Sequence, residues 1–199
     1  MRKYLQRVIE LFQFSISNCH LSITRESNTG IPTIRSENRK LKIESLTNPP
    51  LLPHIRPATA ADIPYLMSVE REAETASHWS EEQYELVFSQ NSKRNVIAIE
   101  SAGTIYGFVV LHAIAQEWEI ENIAVAETVR RKGLGLQLLR ESLNLACLQG
   151  AQEIFLEVRE SNLAARALYE KSGFTQSGQR KGYYRNPDED AIIYRLRFS

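Results

Sequence analysis

The sequence is poor in the features that mark secreted, membrane-bound and nucleic-acid-binding proteins. Its 199 residues include two cysteines, Cys19 and Cys147, whose wide separation fits neither a disulfide framework nor a metal site. Cys147 falls within a helical leucine pattern and is predicted to be a small buried residue. The 24 Lys and Arg residues equal the 24 Asp and Glu residues, so no net charge draws the chain toward nucleic acid or membrane. These features predict a protein of the reducing cytoplasm.

Long hydrophobic runs and metal-binding patterns are also missing. No apolar run is long enough to span a bilayer. The opening MRKYLQRVIELFQF is basic, but Arg7, Glu10 and Gln13 interrupt what would be the apolar region of a signal peptide, so no secretion signal is predicted. The four histidines are scattered, without a pair at helical ligand spacing, and no metal is predicted.

The chain changes character near Pro53. Residues 1–53 are polar and basic, rich in Asn, Ser and Thr, and show no sustained hydrophobic period. This composition predicts a disordered or loosely helical extension. An arm that docks on RNA or on a protein partner is the alternative interpretation of its basic character. Residues 54–199 form the predicted folded domain.

Regular hydrophobic patterns begin at His54. They predict the element order β-α-α-β-β-β-α-β-α-β-β, a mixed sheet with helices on its faces. Thr59 is the predicted N-cap of the first helix, and Ser80 with Gln83 forms a capping box for the second. An Ala-Gly turn is predicted to join two of the strands.

The stretch NIAVAETVRRKGLGLQLL, residues 122–139, joins an apolar strand to a leucine-rich helix through two glycines. A dinucleotide fingerprint needs a third glycine where Leu138 stands, and a Walker loop needs a Lys-Ser or Lys-Thr pair directly after its second glycine, where Gly133 and Gly135 are each followed by leucine. The pattern Arg/Gln-x-x-Gly-x-Gly/Ala is met by Arg130, Gly133 and Gly135. It places free N–H groups at a helix N-terminus, where they favour an anion. Simple turn chemistry is the alternative for glycines at such a junction.

NIAVAETVRRKGLG and the later FLEVRESNLAARALYEKSGF resemble the acetyl-CoA loop and the following strand–helix unit of the GNAT superfamily of N-acetyltransferases. The resemblance covers about residues 54–199. It implies the GNAT fold, an α/β (α+β) class with a mixed, mostly antiparallel central sheet flanked by helices. Acetyl-CoA would lie in the splay between the central strands, as a co-substrate without a metal.

HWSEEQYE, LEVRESNLAARALYEKSGF and KGYYRNPDEDAIIYRL are similar to one branch of that superfamily, the ribosomal-protein-alanine N-acetyltransferases. The departures are His78 in place of a proline before the tryptophan, a short turn between Tyr184 and Asp190, and the long N-terminal extension. They bear on peptide specificity more than on the co-substrate site. The implied partners are acetyl-CoA and the N-terminal alanine of a small-subunit ribosomal protein, with nucleic acid reached only through the basic extension.

The implied reaction is direct attack of an amine on the acetyl thioester. An α-amino group has a pKa of about 8, so deprotonating it near pH 7.4 costs under about 1 kcal/mol, whereas a lysine amine costs about 4 kcal/mol. A modest base therefore suffices for a protein N-terminus. A lysine side chain, a small-molecule amine and a non-catalytic acyl-CoA-binding module remain the alternatives.

The resemblance assigns roles to two residues. Glu157 of LEVR is the predicted base, and Glu119 and Glu121 on the preceding strand are its rivals because other branches place their base there. Alternation along EIFLEVRE puts Phe155, Glu157 and Arg159 on one face. Ile154, Leu156 and Val158 lie on the opposite face. Tyr169 is the predicted acid that protonates the leaving thiolate. A solvated strand glutamate and a core aromatic are the respective alternatives.

Co-substrate binding is assigned to the end of one strand, the glycine loop and a helix cap, as the resemblance implies. These residues are Ile123, Ala124, Val125, Arg131, Lys132, Gly133, Leu134, Gly135, Leu136 and Asn162. Three aromatic residues are predicted to wall a peptide groove, with core or hairpin packing as the alternative: Trp79, Tyr183 and Tyr184. The acidic run Asp188, Glu189 and Asp190 is either a solvated turn or a border of that groove that favours a basic peptide.

Overall fold

A seven-stranded sheet with helices on both faces forms the described part of the computed structural model, which covers residues 52–73 and 76–198. In chain order the elements are β1 (His54–Pro57), α1 (Ile63–Arg71), α2 (Glu81–Val87), β2 (Arg94–Ser101), β3 (Thr104–Ile114), β4 (Glu117–Val125), α3 (Leu134–Leu148), β5 (Glu153–Arg159), α4 (Leu163–Lys171), β6 (Thr175–Tyr184) and β7 (Glu189–Arg197). This is the predicted order of strands and helices. The predictions for the N-terminal extension fall almost wholly on residues 1–51 and lie outside the described residues.

Short-range sequence signals shape the ends of these elements as predicted. Ala102 and Gly103 both have positive φ, 51° and 77°, which suits the tight two-residue turn between β2 and β3. The Ser80 N–H donates to Gln83 Oε1 at 2.8 Å, and the Gln83 N–H donates to Ser80 Oγ at 3.3 Å. The predicted capping box at the start of α2 is therefore confirmed.

The first helix begins later than its capping signal suggested. Thr59 caps a 3₁₀ turn over Ala60–Asp62, with the Asp62 side chain reaching back to the Thr59 N–H at 2.8 Å. The α-helix α1 starts only at Ile63, with Pro64 in its first turn, where a missing N–H is tolerated.

The sheet has the strand order β1-β2-β3-β4-β5-β7-β6, and the pair β4–β5 is its parallel step. That pairing runs over four rungs, from Glu117 opposite Glu153 to Ile120 opposite Leu156, and then ends. Both strands continue beyond it, since β4 stays paired with β3 up to Val125 and β5 with β7 up to Arg159. The two strands therefore splay apart at the centre of the sheet.

A β-bulge in β4 lies at the start of this splay. Val110 of β3 faces Asn122, but the next residue, Leu111, faces Ile120, so Glu121 is an extra residue. Ile120 packs in the core on the α3 side of the sheet, whereas Ala124 packs in the core on the α1 side. The bulge therefore turns the last residues of β4 over relative to the first.

Two hydrophobic cores cover the two faces of the sheet. One contains Leu138 and Leu139 of α3, and the other contains Leu66 of α1 and Tyr84 of α2, all fully buried. Each such side chain contributes about 1.5–3 kcal/mol through burial. The prediction that Cys147 is buried is wrong, because the buried face of α3 passes through Ala146 and leaves Cys147 exposed. Among the described residues, no helix has the length and apolar character needed to cross a membrane.

Candidate active site

The splay between β4 and β5 opens into a cavity of about 470 Å³. Its walls come from the end of β4, the loop before α3, the first turn of α3, the end of β5, α4, the end of β6, and Ala73, Ala76 and Ser77. Most of the residues assigned to the site from the sequence lie on these walls: Ile123, Ala124, Val125, Arg131, Gly133, Leu134, Gly135, Leu136, Glu157, Asn162, Tyr169 and Tyr184. Lys132, Trp79 and Tyr183 do not.

The N-terminus of α3 fits an anionic group. Gly133 occupies the N-cap position with φ +84°, a left-handed conformation that favours glycine. No side chain caps the helix, and no acidic residue lies in its first turn. The first N–H groups of a 15-residue helix are thus presented to the cavity wall together with the positive end of its dipole.

Gly135 follows in the first turn of α3 under no steric demand from the fold. A Cβ added there would meet only Leu168 Cδ2 at 3.6 Å and Val125 Cγ2 at 3.8 Å, which are ordinary contacts. Its backbone conformation is not left-handed either. The fold therefore has room for a larger side chain at position 135, and the assignment of Gly135 to the co-substrate stays a prediction.

The basic residues before α3, Arg130 to Lys132, differ in their contacts. Arg130 Nε donates to the Val125 carbonyl at 3.1 Å, and Arg130 Nη2 donates to the Glu72 carbonyl at 2.9 Å. Arg130 thus fastens the loop to β4 and to the end of α1. Arg131, with φ +60°, lies on the cavity wall, and Lys132 is exposed beside it.

The end of β4 turns two of its three predicted residues toward the splay. The Ala126 N–H donates to the Tyr106 carbonyl of β3 at 2.8 Å, and the Ala124 carbonyl also points to β3, because a Cβ at Gly107 would lie 2.8 Å from it. Backbone groups of successive strand residues point to alternate sides. The peptide groups of Ile123 and Val125 therefore face the splay, where a peptide-like arm of a ligand can pair with them.

Helix α4 supplies Asn162 and Tyr169. Asn162 Oδ1 accepts from the Ala165 N–H at 3.1 Å, which makes it the N-cap of α4 while it also lines the cavity. Tyr169 is 4% exposed and packs against Phe174 and Tyr194 at ring-centroid distances of 5.9 and 6.1 Å. Burial raises the pKa of Tyr169 above its ordinary value. Its phenol therefore keeps its proton at neutral pH.

Glu157 lies on β5 just past the last rung of the parallel pairing. The burial pattern of β5 confirms the predicted alternation, with Ile154, Leu156 and Val158 buried and Glu157 partly open. Arg180 Nη1 of β6 donates to Glu157 Oε1 at 2.8 Å. About half of the Arg180 side chain is exposed, so this ion pair lies at the mouth of the site.

Tyr184 completes this side of the cavity, and Tyr183 lies next to it, off the cavity wall. Burial first, and then the negative charge of Glu157, raise the pKa of Tyr184 to about 12. The Arg159 guanidinium lies over the Tyr184 ring at 4.3 Å, and the Arg180 guanidinium over the Tyr183 ring at 4.0 Å. Both phenols are thus protonated hydrogen-bond donors held by cation–π contacts beside Glu157.

The two rival glutamates of β4 differ in their surroundings. Glu121 accepts from Arg94 Nε at 2.6 Å and Arg94 Nη2 at 2.8 Å, and it lies 3.2 Å from His112 Nδ1. Glu119 makes no hydrogen bond with the described residues. Burial, and then the charges of Glu121 and Glu157, raise the pKa of Glu119. Because His112, Glu119 and Glu121 bring ligand atoms within 4.8 Å of one another, the absence of a metal stays a prediction.

The remaining predicted groove residues lie off the cavity wall. Trp79 packs against Tyr84 at a ring-centroid distance of 5.6 Å and belongs to the edge of the α1-side core. Tyr183 is exposed and contacts Arg180 rather than the cavity. Their assignment to a peptide groove stays a prediction.

The acidic run is used within the β6–β7 turn. Asp188 pairs with Arg185 at 3.1 Å. Asp190 accepts from the Gly182 N–H at 2.8 Å and from Gln179 Nε2 at 2.8 Å. These contacts favour the interpretation of this run as a structured turn.

Sequence reasoning missed a buried polar pair, Glu70 and Asn122. Glu70 is 1% exposed and Asn122 is 4% exposed, and Asn122 lines the cavity. One signal was present, because Glu70 shares a helical face with Ile63, Leu66 and Ala73. A carboxylate on the apolar face of an amphipathic helix indicates a buried partner.

A sheet that opens between two parallel strands beside an uncapped helix N-terminus can bind a ligand that carries an anionic group and a peptide-like arm. The chain belongs to the acetyltransferase (GNAT) family, whose sequence pattern it matches over residues 63–174. It is therefore an N-acetyltransferase.

Relatives of known name agree with this assignment. The chain is 34% identical over 140 residues to the ribosomal protein bS18-alanine N-acetyltransferase of Escherichia coli (strain K12), covering 69% of this chain and 93% of the relative. It matches the crystal structure of the E. coli ribosomal-protein-S18-alanine N-acetyltransferase with a TM-score of 0.68 and 31% identity, over 74% of this chain and 95% of that one. A GNAT family acetyltransferase from Elizabethkingia anophelis with acetyl-CoA bound matches with a TM-score of 0.61 and 25% identity, over 73% and 98%.

Proposed function

We propose that the protein transfers the acetyl group of acetyl-CoA to a protein N-terminal α-amine, that of the N-terminal alanine of a small-subunit ribosomal protein. The observation that carries the proposal is the joint presence on one cavity wall of a strand carboxylate, Glu157, and a buried phenol, Tyr169. The named relatives support the choice of acceptor. A cytoplasmic location accords with such a substrate.

The co-substrate supplies an activated acetyl group as a thioester. The residues that fit it are the N–H groups at the start of α3 for its phosphates, Gly135 for close approach, and Ile123 with Val125 for its amide-bearing arm. Arg131 adds positive charge beside the phosphates. This assignment uses backbone groups that the fold holds in place, so little reorganisation accompanies binding.

Glu157 removes the proton from the attacking amine, directly or through one water. The amine nitrogen then bonds to the acetyl carbon, and the carbon–sulfur bond breaks. Tyr169 gives its proton to the departing thiolate. The phenol is protonated at neutral pH, as this role requires, and the burial that raises its pKa makes it a weaker acid until the thiolate forms beside it.

Glu157 is favoured over the β4 glutamates by position and by pairing. Glu157 and Glu121 line the cavity, whereas Glu119 does not. The two short Arg94 contacts neutralise Glu121 and hold both of its oxygens. Glu157 has one ion pair, with the half-exposed Arg180, which an incoming ammonium group can displace.

The acceptor can be tested with two short peptides that carry the N-terminal sequence of a small-subunit ribosomal protein beginning with alanine. One has a free N-terminus, and the other has a blocked N-terminus and an internal lysine. Mass spectrometry after incubation with acetyl-CoA should show acetylation of the first peptide alone. Acetylation of the blocked peptide alone would overturn the α-amine proposal and identify a lysine acetyltransferase.

A matched peptide separates the ribosomal substrate from α-amines in general. It keeps the first residue as alanine and scrambles the residues that follow. A kcat/KM at least tenfold higher for the natural order supports ribosomal recognition. Equal values for the two peptides would leave an N-terminal acetyltransferase without that specificity.

A further inference from the structure

Glu70 of α1 is a buried carboxylate that accepts hydrogen bonds from three residues in other parts of the chain. Its Oε2 accepts from the Trp79 N–H at 3.1 Å and from the Tyr84 hydroxyl at 2.9 Å. Its Oε1 accepts from Asn122 Nδ2 at 2.6 Å. Because α1, the segment before α2, and β4 meet at this one carboxylate, its loss would loosen all three contacts.

The carboxylate also fixes the orientation of the Asn122 side chain. A carboxylate accepts hydrogen bonds and donates none, so Asn122 must turn its NH₂ group toward Glu70. The carbonyl oxygen Oδ1 then points the other way. A neutral amide in place of Glu70 would reverse this orientation, because its one oxygen would accept from the Trp79 N–H and the Tyr84 hydroxyl and its NH₂ group would face Asn122.

The Oδ1 atom of Asn122 faces the cavity. None of the described residues donates a hydrogen bond to it. Among these residues the single fully buried side-chain polar atom without a partner is Arg159 Nε, so Asn122 Oδ1 is not fully buried. Asn122 Oδ1 therefore keeps some contact with solvent, and the cavity is the space that Asn122 lines.

This oxygen lies on the same side of the sheet as Glu157. The bulge at Glu121 turns Asn122 to the α1 side, where Glu70 meets it. Glu157 points to that side as well, because its neighbours Leu156 and Val158 fill the opposite core. Asn122 and Glu157 thus flank the opening of the splay from its two strands.

We propose that Asn122 Oδ1 accepts a hydrogen bond from an N–H of the acceptor amine, and that Glu70 is the positioning residue that presents this oxygen. The inference rests on the proposed function and adds a binding residue to it. Two acceptors on opposite strands, Asn122 and Glu157, then each take one N–H of the neutral amine, and the proton held by Glu157 is the one that is transferred. Nitrogen keeps its lone pair directed at the acetyl carbon.

The first test is Asn122→Ala, with Asn144→Ala on the exposed face of α3 as matched control. Steady-state kinetics should show a KM for the acceptor peptide raised about tenfold. That factor corresponds to about 1.4 kcal/mol, within the range of one hydrogen bond between neutral groups. The KM for acetyl-CoA should stay within about twofold of the wild type, and the control should change neither constant.

The second test is Glu70→Gln, with the exposed Glu85→Gln of α2 as matched control. The NH₂ group of the introduced amide turns Oδ1 of Asn122 away from the cavity, which should raise the peptide KM about three- to fivefold. The double variant Glu70→Gln/Asn122→Asp restores the contact with donor and acceptor exchanged and again turns an oxygen to the cavity. Its peptide KM should fall back toward that of the wild type.

Several outcomes would overturn the inference. They are an unchanged peptide KM in Asn122→Ala, an equal rise in the KM values of both substrates, and no recovery in the double variant although circular dichroism shows it folded. If the wild type acetylates a lysine or a small amine instead of the α-amine, the proposed function fails, and the same comparison made with that amine decides the role of Asn122. Absence of turnover on every amine overturns both.

Discussion

The two halves of the cavity differ in the chemical groups that line them. The half that we propose holds the co-substrate presents backbone N–H groups, glycines and a strand edge, within residues 123–136. The half that we propose holds the acceptor presents charged and aromatic side chains, supported by residues of α1, β4, β5 and β6. Binding on the first half depends on the path of the chain, whereas binding on the second depends on pairs of side chains far apart in sequence.

This contrast explains why one scaffold serves many acceptors. Backbone groups cannot be exchanged by point mutation, so the phosphate-binding half stays the same wherever the chain path is kept. Side chains such as Arg180 and Glu70 can be replaced one at a time without altering that path. Substrate choice can therefore change while the use of acetyl-CoA does not.

The largest expected effect is a loss of kcat, without a change in the KM for acetyl-CoA, when the proposed base in the acceptor half is replaced. Glu157→Gln should lower kcat by about 10²–10³, the usual contribution of a positioned base. The KM for acetyl-CoA should not change. Tyr169→Phe should lower kcat as well, since the leaving thiolate loses its proton donor.

The β4 glutamates provide the matched controls in that experiment. Glu119→Gln and Glu121→Gln should each retain kcat within about tenfold of the wild type. A loss of 10² or more in either, with Glu157→Gln still active, would move the base to β4.

The next effect contrasts the two glycines of the co-substrate half. Gly135→Ala should raise the KM for acetyl-CoA about tenfold while Tm stays constant or rises, because the fold has room for the methyl group. Gly133→Ala should lower the free energy of unfolding by about 1 kcal/mol, because φ +84° is unfavourable for alanine. Thermal melts and acetyl-CoA titrations measure the two quantities. A fall in Tm for Gly135→Ala would contradict the assignment of that residue to the ligand.

A smaller effect is expected from Arg180, which competes with the acceptor ammonium for Glu157. Arg180→Gln should lower the peptide KM by no more than about fivefold, the equivalent of about 1 kcal/mol for an exposed ion pair. Lys181→Gln, one residue away, is the control. A rise in the peptide KM together with a fall in kcat would show that Arg180 positions Glu157 rather than competing with the substrate.

The smallest effect concerns stability and pH. Burial and like charges raise the pKa of Glu119 in the folded state, so its ionised form destabilises the fold at neutral pH. The penalty is absent below the ordinary pKa of glutamate, grows as pH rises through the raised value, and is complete above it. Glu119→Gln should therefore increase Tm at pH 7.5 and leave it unchanged near pH 4. An equal change at both pH values would assign the effect to packing instead of charge.

The parts of this structure that depend on neighbours in sequence could be predicted from it. The two residues of the Ser80–Gln83 capping box are three positions apart, and Gly133 and Gly135 are two positions apart. The alternation of β5 also needed no knowledge of other strands. Local rules determine each of these features.

Contacts between distant residues could not be predicted in the same way. Glu70 and Asn122 are 52 positions apart, and Glu157 and Arg180 are 23 apart. The bulge at Glu121 also escaped prediction, because strict alternation would place Ile120 and Ala124 on one face. An extra residue in a strand becomes visible only when the partner strand is known.

The open step between β4 and β5 gives the sheet two internal edges. Edges with unpaired peptide groups invite pairing with other chains, and proteins protect them by covering them. Acetyl-CoA would act here as a temporary strand that closes the gap from within. The backbone amides of Ile123 and Val125 should therefore exchange hydrogen for deuterium more slowly with the co-substrate bound, and the ligand-free enzyme should be the more prone to aggregate.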